Sequence, residues 1–246
     1  MYPHMVVYDM NAWDHVVAVV ICILAPILAF TSRKITIEDI RLDSADKIRL
    51  YHSNALLLIV FALVVTTTWR VPGRPIEGLG IEWPIWHPYV PLLMATIFLL
   101  YLLDLYVQYG NKKKRERTFR QKHKSFAFVP TEHKEMLHFV FLALAAGIGE
   151  EIIFRGFLIQ YFIFWAGNNL SGILIASVIS SLLFAFLHGY QGWSSMIKIF
   201  LFALLFSAIF IFSQSLLLVI IIHAIIDTMS GFISIYLVKR ISEESE

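Results

Sequence analysis

The chain has 246 residues, 58% of them apolar and only 15% charged, with a formal net charge of +2. A soluble domain uses roughly 45–50% apolar residues, so one soluble core of this length leaves apolar surface uncovered and lipid is its natural solvent. The single cysteine, Cys22, lies in an apolar run and excludes an intramolecular disulfide.

A helix needs about 20 apolar residues to cross the hydrocarbon core. The first such run is Trp13 to Thr31. The N-terminus before it lacks the basic region and small-residue cleavage site of a removable signal, so this run is expected to stay as an anchor. Arg33, Lys34, Arg41, Lys47 and Arg49 follow it. The second run is Asn54 to Trp69, followed by Arg70 and Arg74. The third is Tyr89 to Tyr109, preceded by Trp83 and Trp86, which suit an interfacial aromatic belt. An eighth crossing has room in the segment from Trp83 to Tyr109.

Next comes the most basic stretch, Lys112 to Lys134. Beside a span it reads as a topology signal and a contact for anionic lipid, not as a nucleic-acid patch. The fourth run, His138 to Trp165, is too long for one straight span, and Gly147 and Gly149 mark it as the candidate for a kink. The last three are Ser171 to His188, Ser194 to Phe212 and Leu216 to Val238. Seven spans with the N-terminus outside place all but Arg70, Arg74 and Arg155 of the 20 Lys and Arg in the cytoplasm, together with the C-terminus. The acidic tail, Glu243 to Glu246, reads as a solvated end. With no linker and no repeat, residues 1–246 form a single membrane domain. The expected fold is all-α: a polytopic transmembrane helix bundle of seven to eight spans.

Ionisable groups inside the later spans carry the functional information. A charge at the bilayer centre costs about 2.5–3.5 kcal/mol on insertion scales. Glu150, Glu151, Arg155, His188, His223 and Asp227 all lie in predicted spans. They must pair or face a wet cavity. Glu151 and Arg155 are four apart, share a helix face and can form an ion pair. Glu150 points about 100° away and stays free for chemistry. His223 and Asp227 also share a face, so Asp227 can accept from one ring nitrogen and fix the tautomer. The same spacing suits metal ligation. A carboxylate to take a proton from water, and histidines to orient it or steady an oxyanion, are the parts of a hydrolytic site. No serine-centred elbow, His-Glu-x-x-His pair or nucleophilic cysteine is evident.

Glu-Glu-x-x-x-Arg at Glu150, Glu151 and Arg155, Phe-x-x-x-His at Phe184 and His188, and His-x-x-x-Asp at His223 and Asp227 resemble, in order, the CaaX-protease and bacteriocin-processing intramembrane peptidases. The resemblance covers roughly residues 135–230. It implies an eight-helix glutamate-dependent peptidase with a cavity open to the cytosol. Glu150 with His188 would activate water, His223 and Asp227 would stabilise the oxyanion, and Glu151 with Arg155 would support the site. Many members carry Asn where Asp227 stands, and an Asp donates only when protonated. Zinc on Glu150, His188 and His223 and metal-free activation both stay open. The expected substrate is a membrane-associated peptide or protein, and the expected setting is a prokaryotic cell membrane. Two other readings are a non-proteolytic scaffold or immunity-type partner of the same family, and a proton-coupled transporter with Asp104 as a relay. Depth poses a difficulty, because His188 falls near the cytoplasmic end of its run while Glu150 and His223 fall nearer mid-membrane.

Overall fold

The computed structural model describes residues 5–32, 42–118 and 128–243, all seven runs among them. Arg33, Lys34 and Arg41 lie outside the described residues, as do Arg120, Lys122 and Lys124 of the basic stretch and Glu244 and Glu246 of the tail. The fold is all-helical, and seven helices are long and apolar enough to cross a membrane. Helix α1 runs over Ala12–Val19, widens into a π segment at Val20–Leu24 and continues as Ala25–Ser32. The widening has a covalent cause: Pro26 has no N–H to give the carbonyl of Cys22. Helix α2 is Ser44–Arg70 and α3 is Tyr89–Tyr109. Helix α4 starts as His133–Glu151, passes through a π segment at Ile152–Leu158 and ends as Ile159–Ala166. Helices α5, α6 and α7 are Leu170–Leu187, Trp193–Ser213 and Leu216–Glu243. The segment from Trp83 to Tyr109 holds one crossing, α3.

Helix α4 is the axis. Its first half packs on α2 and α7, and its last part on α5. The fourth run does not break at Gly147 and Gly149, as the sequence suggested. Both glycines sit in unbroken α-helix and serve as points of close approach. A Cβ on Gly147 would stand 3.1 Å from the Ile220 carbonyl of α7, and one on Gly149 3.0 Å from the Leu58 carbonyl of α2. The irregularity lies further on, in the π segment. Ser180 of α5 donates a 2.7 Å hydrogen bond to the Phe154 carbonyl there.

The connection between α2 and α3 does not stay at the bundle end. Its one-turn helix Ile76–Leu79 and the residues after it sink among the helices, with Leu79 fully buried. Gly156 of α4 packs against the Leu79 carbonyl, 3.1 Å from where its Cβ would be, and against Leu216. The sunken backbone is matched to the turn between α6 and α7. Ile85 N–H donates to the Ser213 carbonyl at 2.8 Å, Leu216 N–H to the Gly80 carbonyl at 2.6 Å, and Ser215 Oγ to the Glu82 carbonyl at 2.6 Å. Gln214 turns that corner with a left-handed φ of 53°. In this way α7 begins deep, level with Gly156, and its first two turns lower His223 to the level of Glu150 and Glu151.

Helix lengths settle the depth of His188. Helix α5 has 18 residues and the whole of α4 has 34, about 27 Å against about 51 Å at 1.5 Å per residue. The two are antiparallel neighbours, with Phe154 against Phe184 at 5.1 Å between ring centroids. Helix α5 therefore stops well short of the basic end of α4, and its last residue comes level with Glu150. The short helix is α5, and α4 need not break.

Candidate functional site

Six ionisable side chains of the site come from three helices: Glu150, Glu151 and Arg155 from α4, His188 from the end of α5, and His223 and Asp227 from α7. Glu151 and Arg155 face each other across the start of the π segment, with Arg155 Nη1 2.8 Å from Glu151 Oε1 and both side chains at most 1% exposed. Removing two charges from water is costly, and such a pair persists only if hydrogen bonds meet the remaining valences. Arg155 turns Nη2 to the Ala203 carbonyl of α6 at 3.4 Å. Its guanidinium lies over the rings of Phe184 and Phe206, 4.7 and 5.5 Å from their centroids.

Glu151 does more than hold Arg155. The same Oε1 lies 2.7 Å from Nδ1 of His223 on α7. The expectation that Asp227 orients this ring is therefore refined. Glu151 holds Nδ1, while Asp227 Oδ2 stands 3.5 Å from Nε2 on the other edge. Glu150 Oε2 also faces Nε2, at 3.7 Å. The adjacent carboxylates thus diverge: Glu151 is fully buried on one ring nitrogen and Glu150, 17% exposed, is near the other.

His188 closes α5. Its Nδ1 is 2.8 Å from the Phe184 carbonyl, one turn back. A carbonyl only accepts, so Nδ1 carries the proton and the neutral ring offers Nε2 as an acceptor. Its ring packs on Phe184, 4.6 Å between centroids. Glu150 lies within electrostatic reach of His188, His223, Asp227 and Glu151. The six ionisable residues singled out in the sequence are gathered in one place.

The arrangement is a buried clasp with an open side. Arg155 fixes Glu151, Glu151 fixes His223, and the free edge of that ring meets Glu150 and Asp227, the latter 38% exposed. Among the described residues, no three His, Cys, Asp or Glu side chains converge as ligands of a metal ion. Nδ1 of each histidine is held, by the Phe184 carbonyl or by Glu151, which leaves Nε2 of each as the ring atom open to a ligand.

Three contributors lie outside the sequence motifs. Phe206, whose ring lies 5.6 Å from that of His223, and the Ala203 carbonyl come from α6, an apolar run without an ionisable landmark near them. Tyr190, two residues after His188, has its phenol within electrostatic reach of Glu150 and Asp227. The polar aromatic in His188-Gly189-Tyr190-Gln191 was a visible sign of it. Asp104, the relay candidate, is not in this cluster: it pairs with Lys198 of α6 and accepts from Gln108.

Residues 132–229 match the family described as type II CAAX prenyl endopeptidase Rce1-like. Comparison with curated proteins and with solved structures gives no match. The matched segment holds α4 from its first turn, all of α5 and α6, and α7 through Asp227, so it contains every residue of the clasp. The matched segment is two-fifths of the chain, and its similarity is to the CaaX-protease and bacteriocin-processing intramembrane peptidases, consistent with the order of the three motifs.

Proposed function

We propose that the protein is an intramembrane endopeptidase in which Glu150 is the general base. The observation that carries this reading is the division of labour on His223: Glu151 takes Nδ1 at 2.7 Å and leaves Nε2 facing Glu150 at 3.7 Å. A water between Glu150 and His188 would give its proton to Glu150 as its oxygen adds to the carbonyl carbon of the scissile peptide. His188 Nε2 would orient that water, and His223, with Nδ1–H on Glu151, would donate from Nε2 to the developing oxyanion in its protonated form. Asp227 sets the charge beside His223 and, when ionised, accepts rather than donates. Each of these steps is assigned to a protein group, and zinc on Glu150, His188 and His223 is the alternative that a chelator tests.

The substrate is a membrane-associated peptide or protein. Lys112–Arg117, Lys134, Lys239 and Arg240 mark one end of the bundle, and the site opens towards that end beyond the short α5. Taking the basic end as cytoplasmic puts the cut near the inner face of a cell membrane of prokaryotic type, with the N-terminus outside.

The test is cleavage of a membrane-delivered reporter peptide library by the purified chain in liposomes, for wild type and Glu150→Ala, each with and without a strong chelator. The expected result is cleavage by wild type that is lost in Glu150→Ala and unchanged by chelator. Cleavage abolished by chelator and restored by zinc overturns the metal-free part. Two equally inactive, folded proteins overturn the peptidase reading and favour the scaffold reading.

A further inference from the structure

A tetrahedral intermediate needs donors where its negative charge develops, and this site is short of them. Ionised Glu150, Glu151 and Asp227 only accept. The Arg155 donors are turned to Glu151, to the Ala203 carbonyl and to two ring faces. His188 has its Nδ1 proton on the Phe184 carbonyl. That leaves Nε2 of His223, which two carboxylates already face.

Tyr190 brings a neutral O–H to the same opening. It sits on the one-turn helix Gly189–Gln191 that follows His188, outside the spans. Gln191 N–H donates to the His188 carbonyl at 3.0 Å, and Gly192 N–H to that of Gly189 at 3.0 Å, so the turn is closed on itself. The Tyr190 ring lies against His188, 6.2 Å and 31° between rings, and edge-on to Phe128 at 5.8 Å. The phenol oxygen accepts from Gln191 Nε2 at 3.2 Å, an arrangement that leaves its own proton to give. It senses both Glu150 and Asp227 electrostatically and is hydrogen-bonded to neither. With 45% of the residue exposed, a substrate backbone can reach it.

We infer that Tyr190 is a further catalytic residue, its hydroxyl donating a hydrogen bond to the carbonyl oxygen of the scissile peptide beside His223. This inference rests on the peptidase reading. When the water oxygen bonds to the carbonyl carbon, the water proton passes to Glu150 and the carbonyl π pair moves onto oxygen. Tyr190 shares its proton with that oxygen without losing it. On collapse of the intermediate the C–N bond breaks, and Glu150 returns the proton to the leaving amine.

The experiment uses the full chain in liposomes and one reporter peptide cleaved by wild type and not by Glu150→Ala. Tyr190→Phe removes the hydroxyl and keeps the ring on His188 and Phe128, and Tyr190→Ala removes both. Loss of one oxyanion donor lowers kcat by about 10²–10³-fold, and an interaction made only in the transition state leaves KM within about twofold. Both variants should therefore lose kcat at nearly constant KM. Tyr190→Phe at the wild-type rate overturns the inference, whether or not Tyr190→Ala is impaired, because the ring alone is then what matters. A raised KM at unchanged kcat overturns it too, by making Tyr190 a ground-state contact. Failure of wild type itself to cleave is a different result. It is seen before any Tyr190 variant is measured, and it overturns the peptidase reading and this inference together.

Discussion

Two buried arginine–carboxylate pairs lie far apart in this bundle, and burial does not tell them apart. In Arg74–Asp14 the side chains are 7% and 0% exposed, and in Arg155–Glu151 1% and 0%. Their hydrogen bonds do. Asp14 has both oxygens 2.8 Å from Arg74 Nη2, and its Oδ2 also receives the Asn11 N–H at 2.8 Å in a capping box. Arg74 gives Nε to the Trp69 carbonyl and lies over the Trp69 ring. Nothing is left over, and the pair ties the start of α1 to the end of α2. In the other pair, Glu151 puts both its bonds on Oε1, and the buried Oε2 has no hydrogen-bond partner among the described residues. A fully satisfied network rigidifies, and a partly satisfied one holds polarity in reserve at a cost. The saturated pair is structural, and the unsaturated one holds His223 as the proposed mechanism requires.

Removing the working group should give the largest effect. Glu150→Gln keeps the shape and loses the base, and cleavage should fall by about 10²–10⁴-fold, the usual contribution of general base catalysis. Progress curves on the reporter peptide, with the unfolding midpoint unchanged, would check this. Arg74→Met should act on the other axis. It leaves Asp14 buried and unpaired, which costs about 3–5 kcal/mol, while the rate per folded molecule stays at the wild-type value. Denaturant titration in detergent paired with active-fraction counting separates the two, and a lost rate per folded molecule would erase the contrast. Glu151→Gln comes next. The amide oxygen still faces His223, but the charge that fixes it is gone. Removing a partner that orients a site ligand typically costs about 10–100-fold in activity. Loss of stability alone, with full activity per folded molecule, would make the two pairs alike.

What the sequence disclosed about these regions follows the same division. The Glu151–Arg155 pair was legible because four residues separate its members on one helix. His223 over Asp227 was legible for the same reason, as were the seven spans from their apolar length. Glu151 on His223 was not, because 72 residues separate them and the contact depends on where α7 begins. That starting level is set by the sunken Ile76–Leu79 connection, whose apolar and glycine residues read as an ordinary loop. Asp14–Arg74 is hidden likewise, because 60 residues separate its members. Gly147 and Gly149 suggest a kink, although a glycine is equally what a close helix crossing requires. The depth conflict among Glu150, His188 and His223 came from placing every helix symmetrically in the bilayer, and the 18-residue α5 beside the 34-residue α4 removes it.

The smallest effect probes how the two halves of the site are kept level. The π segment Ile152–Leu158 changes the backbone pairing of α4, and Ser180 of α5 meets its Phe154 carbonyl at 2.7 Å. Both residues are buried. Ser180 is two turns before His188 on the same helix, so this bond pins the height of α5 against α4 and hence the distance from His188 to Glu150. Ser180→Ala deletes one buried neutral hydrogen bond, and about 1 kcal/mol of stability should go with it. If the bond also sets the register, the rate should fall further than the folded fraction does, because a misplacement of about 1 Å can cost on the order of 10²-fold. Ser180→Thr keeps the hydroxyl and should recover the rate even where its extra methyl lowers the midpoint. A Ser180→Ala protein with full activity per folded molecule would show that the aromatic contact of Phe154 with Phe184 holds the register unaided.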